Sequence, residues 1–120
     1  MKSINKITLL GTVTRDGELK EVAAGKSVYT FGLVTNRVWK DANGEKQTLS
    51  EFHNIICWGE LAVFAAQYVK KGKPLYIEGY LKTYSFETPE GIRKDRTEIV
   101  MDNIVLLGAR DTESAPLASE

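Results

Sequence analysis

The chain has 120 residues, 42% of them hydrophobic and 27% charged, enough for one domain with its own core and no need of disulfides or metal. A lone Cys57 and a lone His53 exclude an intrachain disulfide framework, a histidine cluster and any Cys/His grouping at metal-ligand spacing. Sixteen basic and sixteen acidic residues cancel to zero net charge, which excludes a strong global field drawing the chain onto a polyanion.

Strand chemistry dominates the chain order. Residues 4–13 are β-branched and aliphatic and run into turn chemistry at Thr14-Arg15-Asp16-Gly17; residues 18–22 form a second short piece, closed by Ala24-Gly25-Lys26. Residues 27–40 make a long strand, with Tyr29, Phe31 and Leu33 on one face and Val28 and Val34 on the other. Asn43-Gly44 supplies hairpin chemistry before the next strand over 49–58. After Gly59 the period changes. Leu61, Phe64, Ala65, Tyr68 and Val69 recur at helical spacing, and Lys70-Lys71-Gly72 offers last-turn cations and a closing glycine, so a helix is predicted over 60–71. Residues 74–86 form a long strand, Thr88-Pro89-Glu90-Gly91 a turn, and 95–107 the last strand. Residues 109–120 have the composition of a frayed, mildly acidic tail. Five main strands, one helix between the third and fourth, and long protruding hairpins predict an all-β, five-stranded Greek-key barrel of the OB-fold type over 1–108, followed by a tail over 109–120.

Side chains alternate across a strand, so parity sorts them into faces. In 74–86 the odd positions Leu75, Ile77, Gly79 and Leu81 suit an interior, whereas the even positions Tyr76, Glu78, Tyr80, Lys82, Tyr84 and Phe86 interleave rings with charge. In 49–58, Phe52, Asn54, Ile56 and Trp58 share the even face while Ile55 and Cys57 take the other. Trp39 closes the long second strand beside Arg37 and Lys40. Rings set among charges point to base stacking, which tolerates any sequence because every base has a π-face and is worth about 1–3 kcal/mol per base. Lysines and arginines between the rings would neutralise phosphates. The competing reading, core or subunit packing, fits one ring well and the set of Trp39, Phe52, Trp58 and Phe86 poorly, because all sit on charged faces.

Catalysis has little to stand on. No carboxylates pair at acid–base spacing, a single histidine cannot build a triad, and Lys70-Lys71-Gly72-Lys73 lacks both the glycine spacing and the Ser/Thr of a phosphate-binding loop. No metal and no cofactor is expected. The first residues lack the apolar run of a secretory signal, and no stretch approaches the ~20 apolar residues that span a bilayer. A cytoplasmic protein is therefore expected, or the mature form of an imported one.

Several stretches then resemble one family. Ile4-Asn5-Lys6-Ile7-Thr8-Leu9-Leu10-Gly11 is similar to the opening strand of bacterial and mitochondrial single-stranded DNA-binding (SSB) proteins. Phe52-His53-Asn54-Ile55-Ile56-Cys57-Trp58-Gly59 resembles their third strand, and Tyr68-Val69-Lys70-Lys71-Gly72 with Leu75-Tyr76-Ile77-Glu78-Gly79 their helix end and fourth strand. The resemblance runs over residues 4–107. It implies an OB-fold homotetramer that wraps single-stranded DNA, with stacking rings at Trp39, Phe52, Trp58 and Phe86 and phosphate contacts at Lys2, Lys40, Lys71 and Lys82, to which Arg37 adds its charge beside Trp39. It also implies subunit contacts through His53, Tyr76 and Glu78.

The chain departs from the family pattern in charge. Asn54, Glu60, Ala42 and Tyr84 stand where basic residues are common, which thins the basic stripe, although Tyr84 adds a ring. Rings are therefore expected to carry more affinity than lysines. The acidic Asp-rich tip with Pro-Phe that bacterial members use to recruit repair and replication proteins is not matched at Ala115-Pro116-Leu117-Ala118-Ser119-Glu120, so recruitment is not expected; a mitochondrial, plasmid or phage version fits as well as a bacterial, nucleoid-associated one. The functional expectation is sequence-nonspecific binding and protection of single-stranded DNA in replication, repair and recombination. The alternatives are an OB-fold accessory subunit that binds protein, and an RNA binder.

Overall fold

A computed structural model describes residues 1–22 and 25–108, and the expected tail over 109–120 lies outside the described residues. The elements are β1 (Ile7–Val22), β2 (Lys26–Lys40), β3 (Lys46–Trp58), α1 (Glu60–Tyr68), β4 (Pro74–Glu87) and β5 (Arg93–Leu106). The strands close into a barrel in the order β1-β2-β3-β5-β4. All neighbours are antiparallel except β3 and β5, which meet in parallel where Ile55 faces Ile99 and Ile56 faces Val100. This is the all-β OB-fold barrel expected from the element order, with its helix between the third and fourth strands.

Closure depends on β1 serving two neighbours. Ile7 to Thr12 pairs with β4, and Thr12 to Val22 pairs with β2. The changeover is made by register slips between Val13 and Arg15 and between Arg15 and Glu18, the bulges that bend and twist a strand. The turn predicted at Thr14-Arg15-Asp16-Gly17 is therefore a bend inside one long strand: Arg15 still pairs with Gly32 and Glu18 with Thr30, so the polar residues deform the ladder without ending it.

The core inside this barrel is aliphatic and follows the predicted parity. Phe31 and Leu33 of β2, Ile55 and Cys57 of β3, Leu75 and Ile77 of β4, and Met101, Ile104 and Leu106 of β5 are buried together, with Ala62 and Ala65 of α1 and Val69 just beyond it. Among the described residues no charged or polar residue is buried in this core. Tyr29 enters the same cluster but carries a hydroxyl, which accepts a bond from the Gly17 N–H at 2.9 Å and donates to the Val69 carbonyl at 3.2 Å. Gly17 is required there, since a Cβ would collide with the Tyr29 ring and the Thr30 carbonyl. Gly79 has a comparable role on β4: a Cβ would strike the Val100 carbonyl at the slip that leaves Asp102 without a partner in the β4–β5 ladder.

The helix is shorter than its periodicity predicted. It stops at Tyr68, and Val69 is extended (φ −87, ψ 106). The cause is tertiary. The Gly72 N–H donates to the Val13 carbonyl, the Val13 N–H to the Lys73 carbonyl, and the Lys71 N–H to Asp16 Oδ1, which together pull 69–73 onto β1. Lys70 and Lys71 consequently sit after the helix, although Lys70 Nζ still reaches the last-turn carbonyl of Ala66 at 3.3 Å. Two hairpins extend the ladders well past the barrel, β2–β3 to Lys40 opposite Lys46 and β4–β5 to Glu87 opposite Arg93.

Removing the Tyr29 hydroxyl (Tyr29→Phe) leaves the Gly17 N–H and the Val69 carbonyl unpaired. It should cost about 1–3 kcal/mol, read as a lower urea midpoint at unchanged m value. Cys57 is fully buried, and burial pushes its thiol up to about 12. The native protein should therefore resist DTNB at neutral pH and react fully once denatured. Because the folded thiol ionises later than the unfolded one, stability should also decline as pH rises above about 9.

Candidate nucleic-acid interface

Beyond Gly79, β4 and β5 pair Tyr80 with Val100, Lys82 with Glu98, Tyr84 with Arg96 and Phe86 with Lys94. Directly paired residues share a face, so the even-numbered rings of β4 lie with the even-numbered charges of β5. The parallel contact of β5 with β3 carries this face onward to Ile56 and Trp58, whose partners on β2 are Thr30 and Val28. Trp58, Tyr84 and Phe86 thereby line one open depression of about 560 Å³, together with Val28, Thr30 and Ile56. It shares Trp58 and Tyr84 with a hollow bordered by Lys26, Tyr80 and Lys82, and shares Thr30, Ile56, Arg96 and Glu98 with another that reaches Arg15 and Asn54. The three form a continuous trough across the sheet.

The rings are available rather than structural. Trp58 is 38% exposed and Phe86 44%, beside a core already filled by aliphatic side chains. Each of three rings has a cation near its face: Lys82 Nζ lies 5.4 Å from the Tyr84 centroid, Arg96 Cζ 5.9 Å from Phe86, and Arg37 Cζ 5.2 Å from Trp39. Such pairs are worth about 0.5–1 kcal/mol at exposed sites, so they orient cations beside rings without locking them. Partial burial, with the negative charge of Glu98 adding to it, raises the Tyr84 hydroxyl above its ordinary value and keeps it neutral. No group of His, Cys, Asp and Glu among the described residues could hold a metal ion.

The expected residues do not all meet. Trp58, Tyr84, Phe86 and Lys82 line the trough. Phe52 is on the same ribbon face as Trp58 but further along β3, opposite Val34, and is 73% exposed. Trp39 pairs with Gln47 and Arg37 with Leu49, which puts both on the other face of the β2–β3 ribbon. Lys40 is at that hairpin's base turn opposite Lys46, Lys71 is in the loop after α1, and Lys2 precedes β1. The charged residues Arg15, Lys26, Arg96 and Glu98 of the trough escaped the reading of the sequence. Arg96 and Glu98 share parity on β5, the one signal available, but which rings they face depends on register.

His53, Tyr76 and Glu78 lie away from the trough. His53 Nε2 is 2.9 Å from Thr35 Oγ1, and the Tyr76 hydroxyl donates to Glu78 Oε2 at 2.6 Å. Glu78 also receives Asn103 Nδ2 at 3.4 Å and lies 3.5 Å from Lys6 Nζ. The bond from Tyr76, then that from Asn103, holds the Glu78 carboxyl below its ordinary range. Leu10, paired with Tyr76 across β1 and β4, is 63% exposed on this same face.

The sequence pattern of the Single-strand binding protein family matches residues 4–107. "Single-stranded DNA-binding protein 1" of Chlorobaculum tepidum is 42% identical over 112 residues, covering 92% of this chain and 69% of the relative. The "Single-stranded DNA-binding protein" of Neisseria meningitidis is 35% identical over 112 residues, covering 93% of this chain and 64% of the relative. The chain thus spans about two thirds of the length of these curated relatives. Among solved structures, one described as "Plasmodium falciparum SSB complex with ssDNA" superposes with a TM-score of 0.79 at 32% identity, covering 90% of this chain and 98% of that one. With this fold, this match over nearly the whole barrel and these relatives, the chain belongs to the single-strand binding protein family.

Proposed function

We propose that this chain binds single-stranded DNA without sequence preference, protecting it during replication, repair and recombination, and that it catalyses no reaction. One observation carries the reading: Trp58, Tyr84 and Phe86 are presented together in an open trough while the core beneath is complete without them. Bases stack on these rings, and Lys82, Arg96 and Lys26 stand beside them for the phosphates. Phe52 and Trp39 with Arg37 extend the path along the β2–β3 hairpin, one on each face, which suits a strand that wraps around the protein rather than crossing one groove. Lys2, Lys40 and Lys71 lie beyond the trough and serve as outlying phosphate contacts. The bacterial origin of the relatives named above supports a place in the bacterial cytoplasm with the chromosome, and no helix among the described residues is long and apolar enough to cross a membrane.

Assembly belongs to the opposite side. The outer face of β1 and β4, with exposed Leu10 beside the Tyr76–Glu78 pair, supports self-association into the tetramer the resemblance implies, with His53 contributing near Thr35. Light scattering should report four chains, and Leu10→Glu should lower that mass while leaving the isolated barrel folded.

Titration with oligo-dT should quench tryptophan fluorescence, strongly at low salt and less at high salt. No quench together with no gel shift would remove the proposal, and RNA of matching sequence competing equally would redirect it. Trp58→Ala or Phe86→Ala should each weaken binding by about 1–3 kcal/mol. Lys82→Ala should weaken it less and reduce the log–log salt slope by up to about 0.7. If Phe86→Ala instead left DNA affinity intact and released a protein partner, the accessory-subunit reading would replace this one.

A further inference from the structure

The arginine nearest the Phe86 ring is not free to meet a phosphate. Arg96 Nε lies 3.3 Å from Glu98 Oε2, and the two side chains differ in exposure, 67% for the arginine and 17% for the glutamate. Glu98 is therefore a shielded carboxylate in the trough wall. It faces Lys82 across the β4–β5 ladder and is close enough to Tyr84 for its charge to be felt there. The other acidic group lining this depression is different in kind: Glu18 is 71% exposed and stands 3.9 Å from Lys20, itself 64% exposed, so solvent and salt screen that pair. A carboxylate and a phosphate compete for one guanidinium, and the carboxylate is already fixed in place.

We propose that Glu98 attenuates DNA binding by holding Arg96 in the free protein, so that a bound strand gains Arg96 only when the guanidinium exchanges carboxylate for phosphate. This rests on the single-stranded DNA reading above. The exchange has a distinctive consequence. Phosphate neutralised by Arg96 releases a counterion, but Glu98, left alone, takes one up, so Arg96 contributes almost nothing to the salt dependence of the native protein. Glu98 thereby makes binding both weaker and less sensitive to salt than the number of cations on this face would give.

The test is oligo-dT affinity, read by tryptophan quenching across a salt series, for the native chain and for Glu98→Gln, Arg96→Gln, their combination and Glu18→Gln. Glu98→Gln should bind roughly three- to tenfold tighter at low salt, with a log–log slope steeper by about 0.7, because Arg96 then acts as an unpaired cation. The gain should vanish when Arg96→Gln is added, and Glu18→Gln should change affinity less than Glu98→Gln. Arg96→Gln alone should leave the slope nearly unchanged, an arm that stands even if the Glu98 variant does not fold. A Glu98→Gln variant that folds but binds no tighter, a gain that survives loss of Arg96, a Glu18→Gln effect of equal size, or a slope lowered by about 0.7 in Arg96→Gln alone would each overturn the proposal while leaving DNA binding itself intact. If the native chain fails to bind oligo-dT, the function reading falls first and this inference with it.

Discussion

The Tyr29 hydroxyl joins three parts of the molecule that are distant in sequence. It accepts from the Gly17 N–H in the bend of β1, belongs itself to β2, and donates to the Val69 carbonyl where the chain leaves α1. The bend matters because it lets β1 leave β4 and continue along β2, which closes the sheet on itself and removes its edges. Only a glycine allows the ring so close to that backbone. The same neighbourhood is fastened again by Asp16, which accepts the Lys71 N–H, and by the backbone bonds of Val13 with Gly72 and Lys73. A partner-satisfied hydroxyl inside an otherwise apolar core thus organises the barrel, the helix end and the loop that follows.

Closure in turn creates the trough. Once the interior is filled by alternating aliphatic residues, the other parity of β3, β4 and β5 has nowhere to go but outward, and the parallel contact of Ile55 and Ile56 with Ile99 and Val100 puts these faces side by side. Gly79 permits the slip that brings Tyr84 opposite Arg96. Rings that would be a liability on an ordinary surface become a continuous apolar floor with cations at its margins. The long hairpins extend the same chemistry away from the barrel, where Phe52 and Trp39 stand on opposite faces of one ribbon.

Electrostatics are used sparingly on this face. The zero net charge of the chain is mirrored in the trough itself, where Arg96 is matched by Glu98 and Lys20 by Glu18. Cations stand within reach of rings and carboxylates rather than projecting alone into solvent. For the proposed function this shifts the balance from counterion release toward stacking, since ring contacts do not weaken with salt as phosphate contacts do. It also separates the DNA-facing side from the outer face of β1 and β4, where Tyr76, Glu78, Asn103 and Lys6 form their own bonded cluster.

Alternation along a strand is a local property, and everything that follows from it was legible in the sequence. The inward set Tyr29, Phe31, Leu33, Ile55, Cys57, Leu75 and Ile77, the outward placement of Phe52, Trp58, Tyr84 and Phe86, and the helix between the third and fourth strands all came from spacing alone. The short matches to the family located the same rings. What spacing cannot carry is which strand lies beside which, at what register, and where a strand bends. Turn chemistry at Thr14-Arg15-Asp16-Gly17 promised a break, yet long-range pairing with β2 made it a bend. Helical periodicity ran on past Tyr68, yet backbone bonds to Val13 drew 69–73 away. The assembly of Trp58 with Tyr84 and Phe86, the separation of Trp39 from them, and the ion pair of Arg96 with Glu98 were decided only by tertiary structure, because each depends on contacts between strands whose alignment no single strand contains.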